Sequence, residues 1–293
     1  MRPLHWLVQT DLGDRSGISE LLATLAAEGV PFSPIARHPP FSTAPPVFTF
    51  PDDTLVLVYG TTSLVATVAA HQPWAPGVFF EPAQFSYSAW AQHYGEHLLN
   101  SPSEVIQTTL GAVATLQGLP GDDEPIFVRP EHDLKEFNGG IQTVGQFRAF
   151  AADVARGGYP LMNGQTAIVI GAPHGIDAEW RVFVSDQGEV LAASRYRWKG
   201  RKSWVRDTPE EVLAFARARA KEWSPAPVFV MDVARSGEGL FIVEAQCAHS
   251  AGLYDVDLVA WVHGMNRVVQ RWAETTAPTA RPGSATALRP SLR

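Results

Sequence analysis

Two hydrophobic periods share the first half of the chain. The apolar run Leu4–Gln9 predicts a short strand and the polar stretch Asp11–Ser16 a loop. Apolar residues at 18, 21, 22 and 25 then predict a helix over Ile18–Ala27, closed by Gly29 with Pro31 beyond it. Thr54–Tyr59 (TLVLVY) reads as a buried strand, Ser63–His71 as a helix, Gly77–Phe80 as a short strand and Tyr87–Leu99 as another helix. Such alternation predicts a small α/β layer. Ser101 and Pro102 take the cap and first-turn places of a helix expected over Ser103–Gln117, and GLPGDDEP at 118–125 reads as a boundary.

Beyond that boundary strands dominate. Ile126–Arg129, Thr166–Ile170, Glu179–Ser185 and Val190–Arg197 carry strand patterning, with a helix over Val144–Ala155 between the first two. Thr208, Pro209 and the glutamates that follow predict a helix over Thr208–Trp223. Val228–Val233 and Leu240–Cys247 form a hairpin across Ala234–Gly239, and Val256–Trp272 is a final helix. The expected class is α+β, with a substantial antiparallel sheet and no internal repeat.

Composition narrows this picture. A chain of 293 residues with 45% hydrophobic positions, nine Trp and fifteen Phe can build a real core as one large domain or two ordinary ones. The net charge of −7 argues against a surface that grips nucleic acid everywhere, while leaving room for local basic patches. One cysteine, Cys247, excludes an intramolecular disulfide framework and a cysteine zinc knuckle, so the cytoplasm is the expected compartment. The N-terminal apolar run is broken by His5 and Gln9 and followed by Asp11 and Asp14, which fits neither a signal peptide nor a membrane span. From Ala273 onward the sequence loses periodicity, and 273–293 is expected to be a disordered tail.

Candidate chemistry gathers on the late hairpin. Glu244 and Gln246 share a strand face, and a turn centred on Glu238 sets Asp232 opposite Glu244. Two facing carboxylates and an amide suit Mg²⁺ with a phosphate substrate; equally, they suit a wet face paired with Arg or Lys. Earlier, IFVRPEHDLKEFNGG delivers Arg129 from a strand into a loop holding Lys135, Gly139 and Gly140, which reads either as a phosphate clamp or as a solvated loop. DAEWRVFV puts Glu179, Arg181 and Phe183 on one strand face and Trp180, Val182 and Val184 on a core face. On the next strand Arg195, Arg197 and Lys199 are expected to share one side, with Arg201, Lys202 and Arg206 close behind; the row suits phosphate, carboxylate or nucleic acid, or is a solvated basic face. His93 and His97 lack the HExxH arrangement of a zinc helix, and Cys247 with His249 has no third member for a nucleophilic triad, so Cys247 is expected to be a packing residue.

Taken in order, the Arg129/Lys135 loop, the strand Ala167–Ile170, EWRVFV, the Arg195/Arg197 strand, Asp232 and Glu244-x-Gln246 resemble the ATP-grasp superfamily over roughly residues 95–265. The clade most similar is the phage-associated one in which arginine replaces the usual phosphate-binding lysine of the first strand. The resemblance implies an ATP-grasp fold, two α+β subdomains clasping ATP, at 101–272, behind a small α/β pre-grasp domain at 1–100. It implies that Arg129 and Lys135 contact ATP phosphates, that the backbone around Ile168, Val169 and Ile170 hinges the subdomains and meets adenine, and that Glu179 and Arg181 line the nucleotide side. Asp232, Glu244 and Gln246 would hold Mg²⁺, and Arg195, Arg197 and Lys199 would stabilise the transferred phosphoryl group or hold the acceptor carboxylate. Gln246 departs from the pattern, which commonly has asparagine there. The implied activity is ATP- and Mg²⁺-dependent joining of a small-molecule carboxylate to an amine through an acyl phosphate, with amino acids or a peptide as substrate. An ATP-dependent enzyme of RNA ends, supported only by the Arg195–Arg206 run, and a non-catalytic nucleotide-binding module are the alternatives.

Overall fold

The computed structural model describes residues 1–12, 17–39 and 42–276. Three sheets carry the chain. The first is parallel: β1 (Leu4–Gln9), β2 (Phe32–Ile35), β3 (Leu55–Tyr59) and β4 (Pro76–Gly77) lie in the order β2-β1-β3-β4, with α1 (Ile18–Ala27) and α2 (Thr62–His71) as connections. Every residue of β3 is buried, as a parallel strand covered on both faces must be. Thr61 caps α2, its hydroxyl accepting the Leu64 N–H at 3.3 Å.

A linking helix, α3 (Tyr87–Tyr94), leads to a small antiparallel sheet of β5 (Ile106–Thr109), β6 (Pro125–Pro130), β7 (Gly140–Thr143) and β8 (Ala167–Gly171) in the order β5-β8-β6-β7. Between β7 and β8, α4 (Val144–Arg156) starts at a capping box of Thr143 and Gln146 and buries Phe147, Ala151 and Val154 against Ile126, Val128, Ile168 and Ile170.

The large sheet comprises β9 (Ala178–Ser185), β10 (Val190–Trp198), β11 (Arg201–Val205), β12 (Val228–Ser236) and β13 (Gly239–Cys247), antiparallel in the order β11-β10-β9-β12-β13. Before β12, α5 (Glu210–Glu222) packs Val212, Ala216 and Ala220 on the face made by Trp180, Val182, Val184 and Met231. The final helix α6 (Leu258–Thr276) covers Phe183 and Val230 on the other face and meets Trp6, Leu57 and Tyr59 of the parallel sheet. That face continues uncovered toward the small sheet, and the gap between them is a cleft.

Several expectations need correcting. Ser103–Gln117 is not a helix: Pro102–Glu104 makes one 3-10 turn, β5 follows, and Leu110–Thr115 is a second 3-10 segment. The β-branched run Val-Ile-Gln-Thr-Thr favours extended backbone and pairs with β8. The strand expected over Gly77–Phe80 is Pro76–Gly77, the helix from Tyr87 ends at Tyr94, and α5 begins after Pro209 rather than at Thr208. Strands β2, β7 and β11 were not anticipated. Residues 273–276, placed in a disordered tail, are the last turn of α6; the rest of that tail, and 13–16 of the predicted loop, lie outside the described residues. No described helix is long and apolar enough to cross a membrane.

Candidate active site

Strand alternation builds one wall of the cleft. On β6, Ile126 and Val128 point into the core beneath α4, so Phe127 and Arg129 point out of it. Val169 is directly opposite Arg129 on β8, and Ile141 directly opposite Phe127 on β7. These residues, with Tyr87, Leu98, Leu99, Gly171 and Ala172, line an apolar chamber of about 310 Å³. A Cβ at Gly171 would stand 2.7 Å from the Asn100 amide nitrogen, so the close approach there requires glycine. Of the three residues expected at the hinge, only Val169 presents its side chain to this chamber; Ile168 and Ile170 belong to the core under α4. The backbone at 168–170 is paired on both sides, by β5 and by β6; at the chamber's edge Gly171 is opposite Phe127 of β6 alone, and the Ala172 carbonyl accepts the Asn100 side-chain amide at 2.8 Å.

Arg129 is held in place from three directions. Its guanidinium lies 4.5 Å from the Trp90 ring of α3, donates to the Val243 carbonyl at 3.1 Å and pairs with Glu244 at 2.9 Å. The loop after β6 braces this arrangement. Glu131 accepts the Ser88 N–H in the first turn of α3 at 2.8 Å, and the buried Asp133 accepts the Cys247 N–H at 3.0 Å while pairing with Lys135 at 2.9 Å. Lys135, with φ of 55°, also reaches the Gln246 side-chain oxygen at 3.4 Å.

The opposite wall is the open face of the large sheet. Asp232 faces Glu244 across β12 and β13, as the sequence suggested, but by a less direct route. The turn is only Gly237 and Glu238, which alone would pair Asp232 with Val243; a bulge at Val243 restores the facing carboxylates. On the other side of Asp232 stands Arg181 of β9, which binds both carboxylate oxygens, at 2.9 and 2.7 Å. Gln246 donates its amide to Asp232 at 2.8 Å and to Glu244. Tyr196 donates to Glu179 at 2.5 Å and approaches Asp232 at 3.4 Å, and Arg197 pairs with Glu179 at 2.9 Å. The carboxylates are thus paired with arginine, as one reading had it; Asp232 is buried, while Glu244 keeps about a fifth of its side chain exposed, 21%, at the cleft.

All of these groups except Gln246 line a second, polar cavity of about 370 Å³ that shares Phe127, Arg129, Gly139, Ile176, Arg197 and Val243 with the apolar chamber. Burial alone would raise the Glu244 pKa, but Lys135, Arg129 and Arg181 outweigh it and hold it at about 2. Burial raises that of Asp232, Arg181 opposes the rise, and the charges of Glu244 and Glu179 add to it. Burial works against the Arg181 charge, and Asp232 more than restores it.

Arg195 and Lys199 are not brought to this cavity. A bulge between Arg195 and Arg197 turns Tyr196 and Arg197 toward the cleft and leaves Arg195 behind, where it pairs with Asp207 at 3.0 Å and lies 4.6 Å from the Trp198 ring. Lys199 sits in the two-residue turn Lys199-Gly200, both at positive φ, beyond the end of the strand. Their expected common side with Arg197 does not exist. His93 and His97 are also apart from any site: His93 stacks on Trp223 and His97 packs against Phe215. Cys247 is buried in the core, as expected.

Sequence reasoning missed Trp90, Asp133, Tyr196 and Tyr254. Tyr254 stacks on Tyr196 at 5.4 Å and covers the Arg181 guanidinium at 4.5 Å. Asp133 lies two residues before Lys135, a spacing that could have marked a pair; Tyr254 comes from an irregular loop with no periodic signal.

The donor chemistry of this cavity can be tested for Mg²⁺. Its walls hold Arg129, Lys135, Arg181 and Arg197 against Asp133, Glu179, Asp232 and Glu244, so the protein supplies no surplus positive charge for a polyphosphate. Among the described residues, no group of three or more His, Cys, Asp or Glu surrounds one point in a metal-binding arrangement. Two carboxylates and one amide remain, a set that suits a magnesium ion completing its shell with phosphate and water. A turn of the Gln246 amide would direct its oxygen to the place where its NH₂ now bridges Asp232 and Glu244.

A two-subdomain cleft with an apolar chamber opening onto a polar cavity of paired charges defines the ATP-grasp class of fold. The chain belongs to that class in sequence as well: residues 63–265 match the family described as ATP-grasp domain, R2K clade family 3. Among solved structures, D-alanine–D-alanine ligase from Bacillus anthracis complexed with ATP aligns with a TM-score of 0.55 and 12% identity over 94% of this chain and 99% of that one. D-cycloserine synthetase DcsG aligns with a TM-score of 0.51 and 14% identity over 93% and 99% of the two chains. A RimK domain protein from Sphaerobacter thermophilus DSM 20745 gives 0.50 and 16% over 92% and 98%. At these identities the likeness is one of fold. No curated protein matches the sequence.

Proposed function

We propose that the chain is an ATP- and Mg²⁺-dependent ligase that joins a carboxylate to an amine with release of ADP and phosphate. The observation that carries this reading is the facing pair Asp232 and Glu244, set among Arg129, Lys135, Arg181 and Arg197 at the mouth of an apolar chamber. The chamber between Val169, Phe127, Ile141 and Leu98 takes the base, and Gly171 and Ala172 border its edge. Arg129 and Lys135 hold phosphates, Glu179 and Arg181 shape the far end of the cavity, and Asp232, Glu244 and Gln246 hold Mg²⁺. A magnesium ion held by these residues would supply charge neutralisation to the phosphates.

In the first step a carboxylate oxygen attacks the γ-phosphorus and the bond to the bridging oxygen breaks, giving an acyl phosphate and ADP. The amine then adds to the acyl carbon, phosphate leaves, and the amine proton is lost. Arg197, half-exposed beside Glu179, is the arginine placed to meet the transferred group. Residues 1–100 act as the pre-grasp domain that helps wall the acceptor, and the remainder to 272 binds the nucleotide.

Incubation with ATP, Mg²⁺ and pooled amino acids, resolving ADP from AMP, tests this. ADP release dependent on a carboxylate and an amine is expected. AMP release, or dependence on RNA, would overturn the ligase reading, and nucleotide binding without turnover would favour a binding module.

A further inference from the structure

We propose that the inner face of the β10–β11 hairpin is a docking track for an extended acidic peptide, which carries to the cleft the carboxylate to be activated. This rests on the ligase reading and names its substrate class. From Val190 to Arg206 there is no acidic residue, while Arg195, Arg197, Lys199, Arg201, Lys202 and Arg206 supply six cations in a chain whose net charge is −7. Among the described residues Lys199, Arg201 and Lys202 have no ion-pair partner, although acidic side chains outnumber basic ones overall.

Register sorts these cations by face. Lys202 lies directly opposite Arg197, so the two share a face, and Arg197 lines the phosphate cavity. Two and four residues on, Trp204 packs 5.5 Å from Tyr254 and Arg206 reaches Asp255 at 3.6 Å. Arg201 is opposite Trp198 and belongs to the other face, with Arg195. Cations on the inner face are therefore spread along a strand rather than converging on one point, with Lys202 and Arg206 about 13 Å apart at a strand rise of ~3.3 Å per residue. That spacing suits alternate side chains of an extended chain, not one small anion. β11 is also the sheet edge, and no backbone hydrogen bond outside the ladders engages residues 200–206 among the described residues.

The track leads somewhere. Trp204, Arg206 and Tyr254, together with Glu20, Asp255 and Asp257, line a separate cavity of about 580 Å³ beside the start of α1, whose own carboxylates turn an acidic chain aside toward the phosphate cavity; Tyr254 is a wall of both. A peptide lying along β11 thus passes the junction where a carboxylate meets Arg197.

A single-stranded nucleic acid fits less well. Its phosphates would match the cations, and Trp198 and Trp204 keep exposed ring surface for bases, but it brings no carboxylate to the cleft. An acidic peptide supplies both the reacting group and the binding charge.

Fluorescence anisotropy, without nucleotide, with labelled oligoglutamate, oligolysine and oligouridylate of matched length tests the proposal. Oligoglutamate should bind in preference to both others. Lys202→Glu should weaken that binding about tenfold, whereas Arg201→Glu, the same charge change on the outer face, should cost less than about threefold. Equal losses in the two variants, tighter binding of oligouridylate, or no binding of oligoglutamate would overturn it. The unaltered chain incubated with ATP and Mg²⁺ separates the two readings: oligoglutamate binding without any ADP release would sink the ligase reading and leave the track standing.

Discussion

Two hairpins of one sheet, β10–β11 and β12–β13, use the same device to opposite ends. Each has a two-residue turn and each contains one bulge near the cleft. In β12–β13 the bulge at Val243 brings Glu244 into line with Asp232 and concentrates charge at one place on the cleft wall. In β10–β11 the bulge separates Arg195 from Arg197 and sends one cation out of the cleft. The difference lies in what each face packs against. Each hairpin supplies one edge strand of the sheet, but β13 is covered by α3, by the bridge from Leu98 to Ile242 and by the loop bearing Asp133, so its charges facing the cleft have fixed partners; β11 is an uncovered edge, where Arg201 and Lys202 stand in solvent. Charge on a covered hairpin becomes structure as well as chemistry, and charge on an uncovered edge remains available to a partner.

The largest effect should follow from breaking the buried pair. Asp232→Asn leaves the Arg181 guanidinium, 5% exposed, without its counter-charge, and should cost about 3–5 kcal/mol in addition to ending ADP release. Glu244→Gln should also end turnover, but Arg129 keeps the Val243 carbonyl and the Trp90 ring, so about 1 kcal/mol of stability is expected to go. Urea unfolding and an ADP assay on both variants check this. Equal stability losses would mean that the two carboxylates are equally structural, and undiminished turnover in both would remove the metal assignment.

A second expected loss lies just past the end of β13. His249 is fully buried, with Nδ1 at 2.7 Å from the Val58 carbonyl and Nε2 accepting the Phe79 N–H at 3.1 Å. A carbonyl only accepts and an N–H only donates, so the ring is neutral with its proton on Nδ1. Burial lowers its pKa from 6.5 to about 4. Between those values the unfolded chain holds the additional proton, so this contribution is complete above pH 6.5 and is lost as the pH falls toward 4, by about 3 kcal/mol in all. Thermal unfolding across that window should show the decline, and His249→Gln should flatten it. A parallel decline in the variant would assign the effect to other groups.

What could be read from the sequence follows the same division between enclosed and edge structure. The strands of the enclosed hairpin, the helix over 144–156 with its cap, and the facing of Asp232 and Glu244 are local patterns, repeated every two residues or every turn of helix. The facing pair came from a symmetric turn, whereas the protein reaches it by a shorter turn and a bulge, which no periodic pattern announces. The same blindness to bulges produced the false row of Arg195, Arg197 and Lys199. At 103–117 a serine–proline start suggested a helix, yet pairing with β8 followed the β-branched residues instead. Tyr254, Trp90 and Asp133 enter the site from loops and another helix, and only the folded chain brings them to Arg181, Arg129 and Cys247.

The smallest expected effect separates neighbouring arginines on one strand. Arg197→Ala removes a guanidinium that lines the phosphate cavity, and should lower kcat about 100-fold if that group stabilises the transferred phosphoryl. Arg195→Ala removes a pair with the largely exposed Asp207 and a contact with the exposed Trp198 ring, interactions together worth about 1 kcal/mol or less. Its kcat should stay within about twofold of the unaltered chain, because the bulge has already turned it out of the cleft. Steady-state ADP release by the two variants decides the matter. A loss at Arg195 equal to that at Arg197 would mean that Arg195 also serves the reacting group, and the contrast drawn between the two hairpins would fall.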